Sequence, residues 1–342
     1  MRNAVTASEP IPRKSHLGMP YALSNFADVK FYGPGFPDSP TLDALRGGAR
    51  IDVLKVVNKL YGNDYPDVVI QFNPFNDVHI GNRYAEGLWS VLDNFHLVKC
   101  LRVMWILDLH NTVGMTDVLE YIEQGKIDIV IKYNDADNIS VWSKKLVKTG
   151  VTLLWCPFSV NAHVFFDKKM PKKYDVSTIG TKNQVYPLRL KIRKVLQKHK
   201  DVKTYDGGAV WEQEYAEVIN ETKIFATGCA SYMRPLQKMF EVMACNTLLL
   251  CNIPMDAERL GFQPNVNFAS IDYNPSLMYG HGGWTITKQP TDDMVWQPLQ
   301  YWLNHPKHAQ QVAQKGHDLI HSKHTHEIRT KQLVEQLAKY VV

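Results

Sequence analysis

RPLQKMFEVMACNTLLL, residues 234–250, joins a helical pattern to a strand pattern through almost no linker. Leu236, Met239, Phe240, Met243 and Ala244 recur at helical spacing and define one apolar face. Pro235 suits the first turn of that helix, where its missing N–H costs nothing. Asn246 tolerates the left-handed conformation that ends helices, and the leucines after it suit a strand buried on both faces. A helix passing directly into such a strand is one half of a parallel β-α-β unit. Glu241 does not fit this structural account. It adjoins the packed Phe240, and a carboxylate there needs a hydrogen-bonding client. The vicinal hydroxyls of a sugar are one such client, because an ionised carboxylate accepts from both.

Outward from this stretch the same alternation continues. NAVTA, DVKFYG, DVVIQF, LRVMWIL, DIVIKY and VTLLWCPF read as short strands toward the N-terminus, separated by helical patterns in IDVLKVVNKLYG, RYAEGLWSVLDNF, TDVLEYIEQG and SVWSKKLVKTG. After a proline- and lysine-containing stretch the rhythm restarts with DVSTIG, the helix YPLRLKIRKVLQKHK, VKTYDGG, the helix WEQEYAEVINET and KIFATG. It runs on through TLLLCNI, AERLGF and VNFASID. Residues 273–297, rich in Gly, Pro and aromatics, read as a loop, and HEIRTKQLVEQLAKYVV as a closing helix. The expected architecture is α/β, with two Rossmann-like, doubly wound domains, 1–160 and 161–342, and a last helix that packs back on the first. Two such domains facing each other place a ligand cleft at the C-terminal ends of both sheets.

Composition sets the class. With 342 residues, 45% of them hydrophobic, the chain can bury two cores. No apolar run approaches the ~20 residues of a membrane span, and MRNAVTASEP lacks the hydrophobic region of a secretion signal. A cytoplasmic protein without membrane insertion is expected. Five scattered cysteines with no CxxC pair read as reduced core thiols. His317, His321, His324 and His326 lack the carboxylates or cysteines that would complete a metal site, so no metal is expected. The net charge of +5 is unevenly spread: residues 141–203 hold fifteen Lys/Arg against three Asp/Glu, or +12, leaving −7 for the rest. Such a segment serves a polyanion, the diphosphate of a small ligand, or only a solvated helix face.

KMFEVMACNTLLLCNIP resembles the C-terminal signature of GT-B glycosyltransferases of the group 1 family, in particular the CgeB-like group. KKYDVSTIGT, YPLRLKIRKVL, YAEVINETKI and HTHEIRTKQLV follow in that family's order, so the resemblance covers about residues 125–340. It implies that Glu241 holds the ribose of a nucleotide-sugar donor. Asn246 stands where the family usually has glycine, and Met233 where retaining relatives carry a second acidic residue.

Other positions follow from placement. Gly33 and Gly35, in FYGPGFPD, form a poor dinucleotide fingerprint, because prolines remove backbone donors; a tight turn explains them as well, although the resemblance places a YGPG loop in the N-terminal domain facing the cleft, which keeps them as donor-binding candidates. Asp108 and His110 follow a strongly apolar strand in WILDLHN, the site-bearing position of a parallel sheet. Either could take the acceptor's proton, and His110 could instead bond the donor sugar. Thr181, Lys182 and Arg189, after the first strand of the second domain, suit a diphosphate. Arg193 shares a helix face with Arg189. Ser231, Tyr232 and Arg234 precede the Glu241 helix and should approach phosphate or sugar.

Together these residues point to a metal-independent glycosyltransferase that uses a nucleoside-diphosphate sugar, a UDP-sugar foremost, as co-substrate and keeps no permanently bound cofactor. The acceptor is a hydroxyl on a glycan, protein, small molecule or nucleic acid such as DNA with hydroxymethylated bases. A sugar-nucleotide epimerase and a non-catalytic nucleic-acid-binding module are the rival readings.

Overall fold

The computed structural model describes the chain apart from residues 1–13, 34–35, 41–43, 45–49, 73–78, 81–82, 85–91, 107–114, 134–139, 183, 206–209, 211, 230–232, 276, 281–282, 287 and 342. It divides into two compact units, one of Met1–Pro157 with Thr330–Val342, the other Phe158–Arg329.

The first unit holds a parallel sheet of β1 (Val68–Phe72), β2 (Leu101–Ile106), β3 (Ile129–Lys132) and β4 (Thr152–Trp155), in that order. Helices α1 (Val53–Tyr61), α2 (Met115–Gly125) and α3 (Ser140–Lys148) belong to the same unit. Val103, Met104, Val130 and Ile131 are fully buried, as the apolar runs of a covered parallel sheet require. Asp52 caps α1 by accepting from the backbone of Leu54 and Lys55. Two stretches depart from their sequence patterns. Residues 28–33 join no strand ladder among the described residues. RYAEGLWSVLDNF is not one helix: Arg83–Tyr84 pairs with His79–Ile80, and Leu92–Asp93 with Ile51–Asp52. There tertiary pairing overrides a helical period. NAVTA lies outside the described residues.

The second unit has five parallel strands, β5 (Tyr174–Ser177), β6 (Thr204–Tyr205), β7 (Thr222–Ala226), β8 (Leu248–Asn252) and β9 (Ala269–Ile271), ordered β6-β5-β7-β8-β9. This is a doubly wound order whose direction of winding reverses between β5 and β7. Helices α4 (Pro187–Lys198), α5 (Glu212–Asn220) and α6 (Gln237–Ala244) connect the strands. Every residue of β8 is buried.

α6 starts at Gln237, two residues after Pro235, because Leu236 takes the extended conformation of an N-cap and its carbonyl accepts the first helical bond. At the other end Asn246 has φ 54° and links the junction through its amide to Asp167, Gln310 and Gln314. Residues 273–297 are not a loop throughout. They hold the hairpin Leu277–Gly280/Gly283–Ile286 and the first residues of α7 (Asp292–Asn304), which Thr291 caps. Pro298 inside α7 hides the helix in the sequence by breaking its pattern. A further helix, α8 (Pro306–Lys323), follows, and α9 (His326–Leu337) carries the chain into the first unit's C-terminal segment.

Candidate functional site

The reversal of strand order in the second unit brings the segments after β5 and β7 side by side, and that is where polar groups converge. The carbonyls of Thr178, Ile179 and Thr181 each accept from a cationic side chain. Arg193 Nη2 donates to the Thr178 carbonyl at 2.8 Å, Lys238 Nζ to Ile179 at 2.7 Å, and Arg189 Nη1 to Thr181 at 3.2 Å. Arg189 Nε donates to Thr227 Oγ1, just past β7, and its guanidinium lies 4.0 Å from the Tyr186 ring centroid. α4 therefore turns both of its i, i+4 arginines toward the β5 loop, which decides a question the sequence leaves open.

Gly180 makes this arrangement possible. Its φ is +129°, and a Cβ there would lie 2.9 Å from Arg189 Nη1 while colliding with Lys238 Nζ. Gly228, after β7, similarly lets α4 approach: a Cβ would sit 2.8 Å from that of Leu188.

Arg189 is 2% exposed, and its Nη2 has no hydrogen-bond partner among the described residues. Burial pushes its pKa down, with Tyr186 and Tyr215 opposing. Neither Arg189 nor Lys238 makes an ion pair among the described residues. Glu241 is the nearby carboxylate, on α6 one turn after Lys238, and is 6% exposed. Burial drives its pKa up against the pull of Lys238. No donor bonds its side-chain oxygens among the described residues. Lys238 is half-buried; burial, then the charge of Arg189, pushes its pKa down. Tyr215 from α5 adds a buried hydroxyl that lacks a partner among the described residues, its pKa raised by burial and then by Glu241. Two donors and a carboxylate without partners among the described residues, beside several cationic side chains, are costly unless a ligand completes them.

Of the residues singled out from sequence, Glu241, Arg189 and Thr181 come together here. Thr181 contributes its carbonyl and is otherwise exposed, like Lys182 beside it. Arg234 is buried. Gly33, in the first unit, has φ 141°, and its carbonyl accepts from Phe36 N. Asp108, His110, Gly35, Ser231 and Tyr232 lie outside the described residues. Lys238, Gly180, Thr227 and Tyr215 are the additions. The i, i+3 spacing of Lys238 and Glu241 was the available signal for the first.

Part of the basic segment is paired: Lys168, Lys169, Lys173, Lys191 and Lys198 pair with Glu217, Asp167, Glu221 and Asp292, and Lys172 donates to the Asn220 carbonyl. Among the described residues no cluster of His, Cys, Asp and Glu could hold a metal ion, and no helix is long and apolar enough to cross a membrane.

Residues 172–335 match a family described as glycosyl transferase-like. No curated protein matches the sequence significantly. Sucrose-phosphate synthase from Thermosynechococcus elongatus superposes with a TM-score of 0.54 at 12% identity, covering 84% of this chain and 76% of that one. Anabaena HepE in complex with UDP-glucose gives 0.52 at 9% identity, over 84% and 82% of the two chains. HepE with UDP and glucose gives 0.54 at 8%, over 84% and 81%. At such identities the likeness concerns the fold, which is the GT-B fold.

Proposed function

We propose that this chain is a metal-independent glycosyltransferase, of the CgeB-like group, that moves a sugar from a nucleoside-diphosphate sugar to a hydroxyl acceptor. The observation that carries the reading is the polar site after β5 and β7. There a buried arginine keeps one donor, and a buried carboxylate its side-chain oxygens, without a hydrogen-bond partner among the described residues. The glycosyl transferase-like match spans these residues, and HepE, of the same fold, is seen with UDP-glucose. A UDP-sugar is therefore the donor we expect.

In this reading the second unit binds the donor and the first the acceptor. Glu241 accepts hydrogen bonds from the ribose hydroxyls, which offset the cost of its ionisation. Arg189, with Lys182 and the backbone at Thr181, faces the diphosphate, where negative charge grows as the sugar–phosphate bond breaks. Ser231, Tyr232 and Arg234 border the phosphate or sugar, and Gly33 and Gly35 belong to a loop that approaches it. Asp108 or His110, following β2 in the first unit, takes the acceptor hydroxyl's proton as its oxygen bonds to the sugar's anomeric carbon.

The test is release of nucleoside diphosphate from a panel of UDP- and GDP-sugars, with and without mixed hydroxyl acceptors. Wild-type release that Glu241→Ala abolishes, its circular dichroism unchanged, supports the assignment. Equal release by both proteins refutes the role of Glu241.

A further inference from the structure

Lys238 is a residue of this site to which the proposed function gives no role. It leaves α6 one turn before Glu241, at a rise of roughly 4.5 Å. Its ammonium reaches the loop after β5 and bonds the Ile179 carbonyl at 2.7 Å. A point above Gly180, where any other residue would carry its Cβ, lies within contact of both Lys238 Nζ and Arg189 Nη1. Two cationic side chains from different helices thus converge over one glycine, without an ion pair to either among the described residues. A lysine that only tethered the loop would have no need of a second cation beside it, since like charges at this range repel.

We infer that Lys238 is the second cation of the diphosphate site, gripping the anion together with Arg189 while Glu241, on the same helix, holds the ribose. The inference rests on the nucleotide-sugar reading of this unit. One helix would then fix both ends of the nucleoside diphosphate, with the spacing of the two contacts set by a single turn.

A second consequence concerns protons. The charged groups around Lys238 are Arg189 and Arg193 from α4 and Glu241 from α6 itself. Burial, then the charge of Arg189, disfavours the ammonium, while Glu241 favours it. A bound dianion favours the ammonium and so proton uptake at Lys238, while the ribose favours the ionised Glu241 and so proton release; Lys238→Met leaves only the release.

The experiment is titration calorimetry with UDP and GDP in two buffers of different ionisation enthalpy, on wild type and Lys238→Met. Methionine keeps most of the apolar stem and removes the charge. We expect binding about ten- to a hundredfold weaker in Lys238→Met, with the net proton balance displaced toward release relative to wild type. Undiminished affinity in that variant overturns the inference while leaving the nucleotide reading in place. Lys238→Gln serves should the methionine variant fail to fold, and wild-type affinity in it overturns the inference likewise. Failure of wild type to bind either nucleotide removes both.

Discussion

Replacing Gly180 by alanine perturbs the site at the point where its two cations meet. The backbone there has φ +129°, a region L-residues rarely adopt, and holding a side chain in it costs about 1–3 kcal/mol. The added methyl would stand 2.9 Å from Arg189 Nη1 and 3.2 Å from its Cζ, inside van der Waals contact, and would collide with Lys238 Nζ. Lys238 can retreat, because its flexible stem ends there. Arg189 is held by Thr227, Thr181 and the Tyr186 ring, and retreats at greater cost. Loss of one charge-assisted contact to a bound diphosphate is worth roughly 1.5–3 kcal/mol, or about ten- to a hundredfold in affinity. Gly180→Ala should therefore lower the melting temperature by several degrees and weaken UDP binding by more than that destabilisation explains, since binding is measured where the protein remains folded. Differential scanning fluorimetry and titration calorimetry on the same preparation separate the two effects. UDP affinity equal to wild type would refute the placement of the diphosphate over Gly180.

Other consequences concern the scaffold and its response to acid. His324 is wholly buried; its Nε2–H donates to the Leu260 carbonyl and Nδ1 accepts from Arg329, leaving no site for a second proton. Burial, then Arg329, pushes its pKa down to about 3, and burial holds that of His326, bonded to Ser159, at about 4. Both folded values lie below the unfolded one, so their stabilisation is full above pH ~6.5 and is lost as pH falls toward 4. One unit below the unfolded pKa the loss is about 1.4 kcal/mol per histidine, and His324→Gln should flatten the pH dependence of urea unfolding; an unchanged profile contradicts it. Asn246→Ala should cost about 2 kcal/mol in urea unfolding, through its φ of 54° and the lost bonds to Asp167, Gln310 and Gln314.

How much of this was legible in sequence depended on which force set each element. The buried strands announced themselves, because a parallel sheet covered on both faces needs uninterrupted apolar runs such as LRVMWI and LLLCN. Asn246 and the inner face of α6 followed from helical period and capping. α7 was hidden by Pro298, and the short strands near residues 79–93 by a helical period that pairing overrode. In the site, Glu241 stood out because a carboxylate on an apolar face lacks a structural reason. Lys238 did not, since a lysine early in a helix looks solvated until the fold shows that Gly180 leaves room beneath it. Whether Arg189 and Arg193 faced solvent or the β5 loop was likewise settled only by the position of α4 on the sheet.

The measurement that bears most directly on the account is the melting temperature of wild type and Glu241→Ala across a concentration series of UDP. A ligand that binds only the folded state at a hundred times its Kd adds about 2.7 kcal/mol, a shift of several degrees. The account predicts that shift in wild type and its loss in Glu241→Ala. The same UDP-induced shift in both proteins would contradict it.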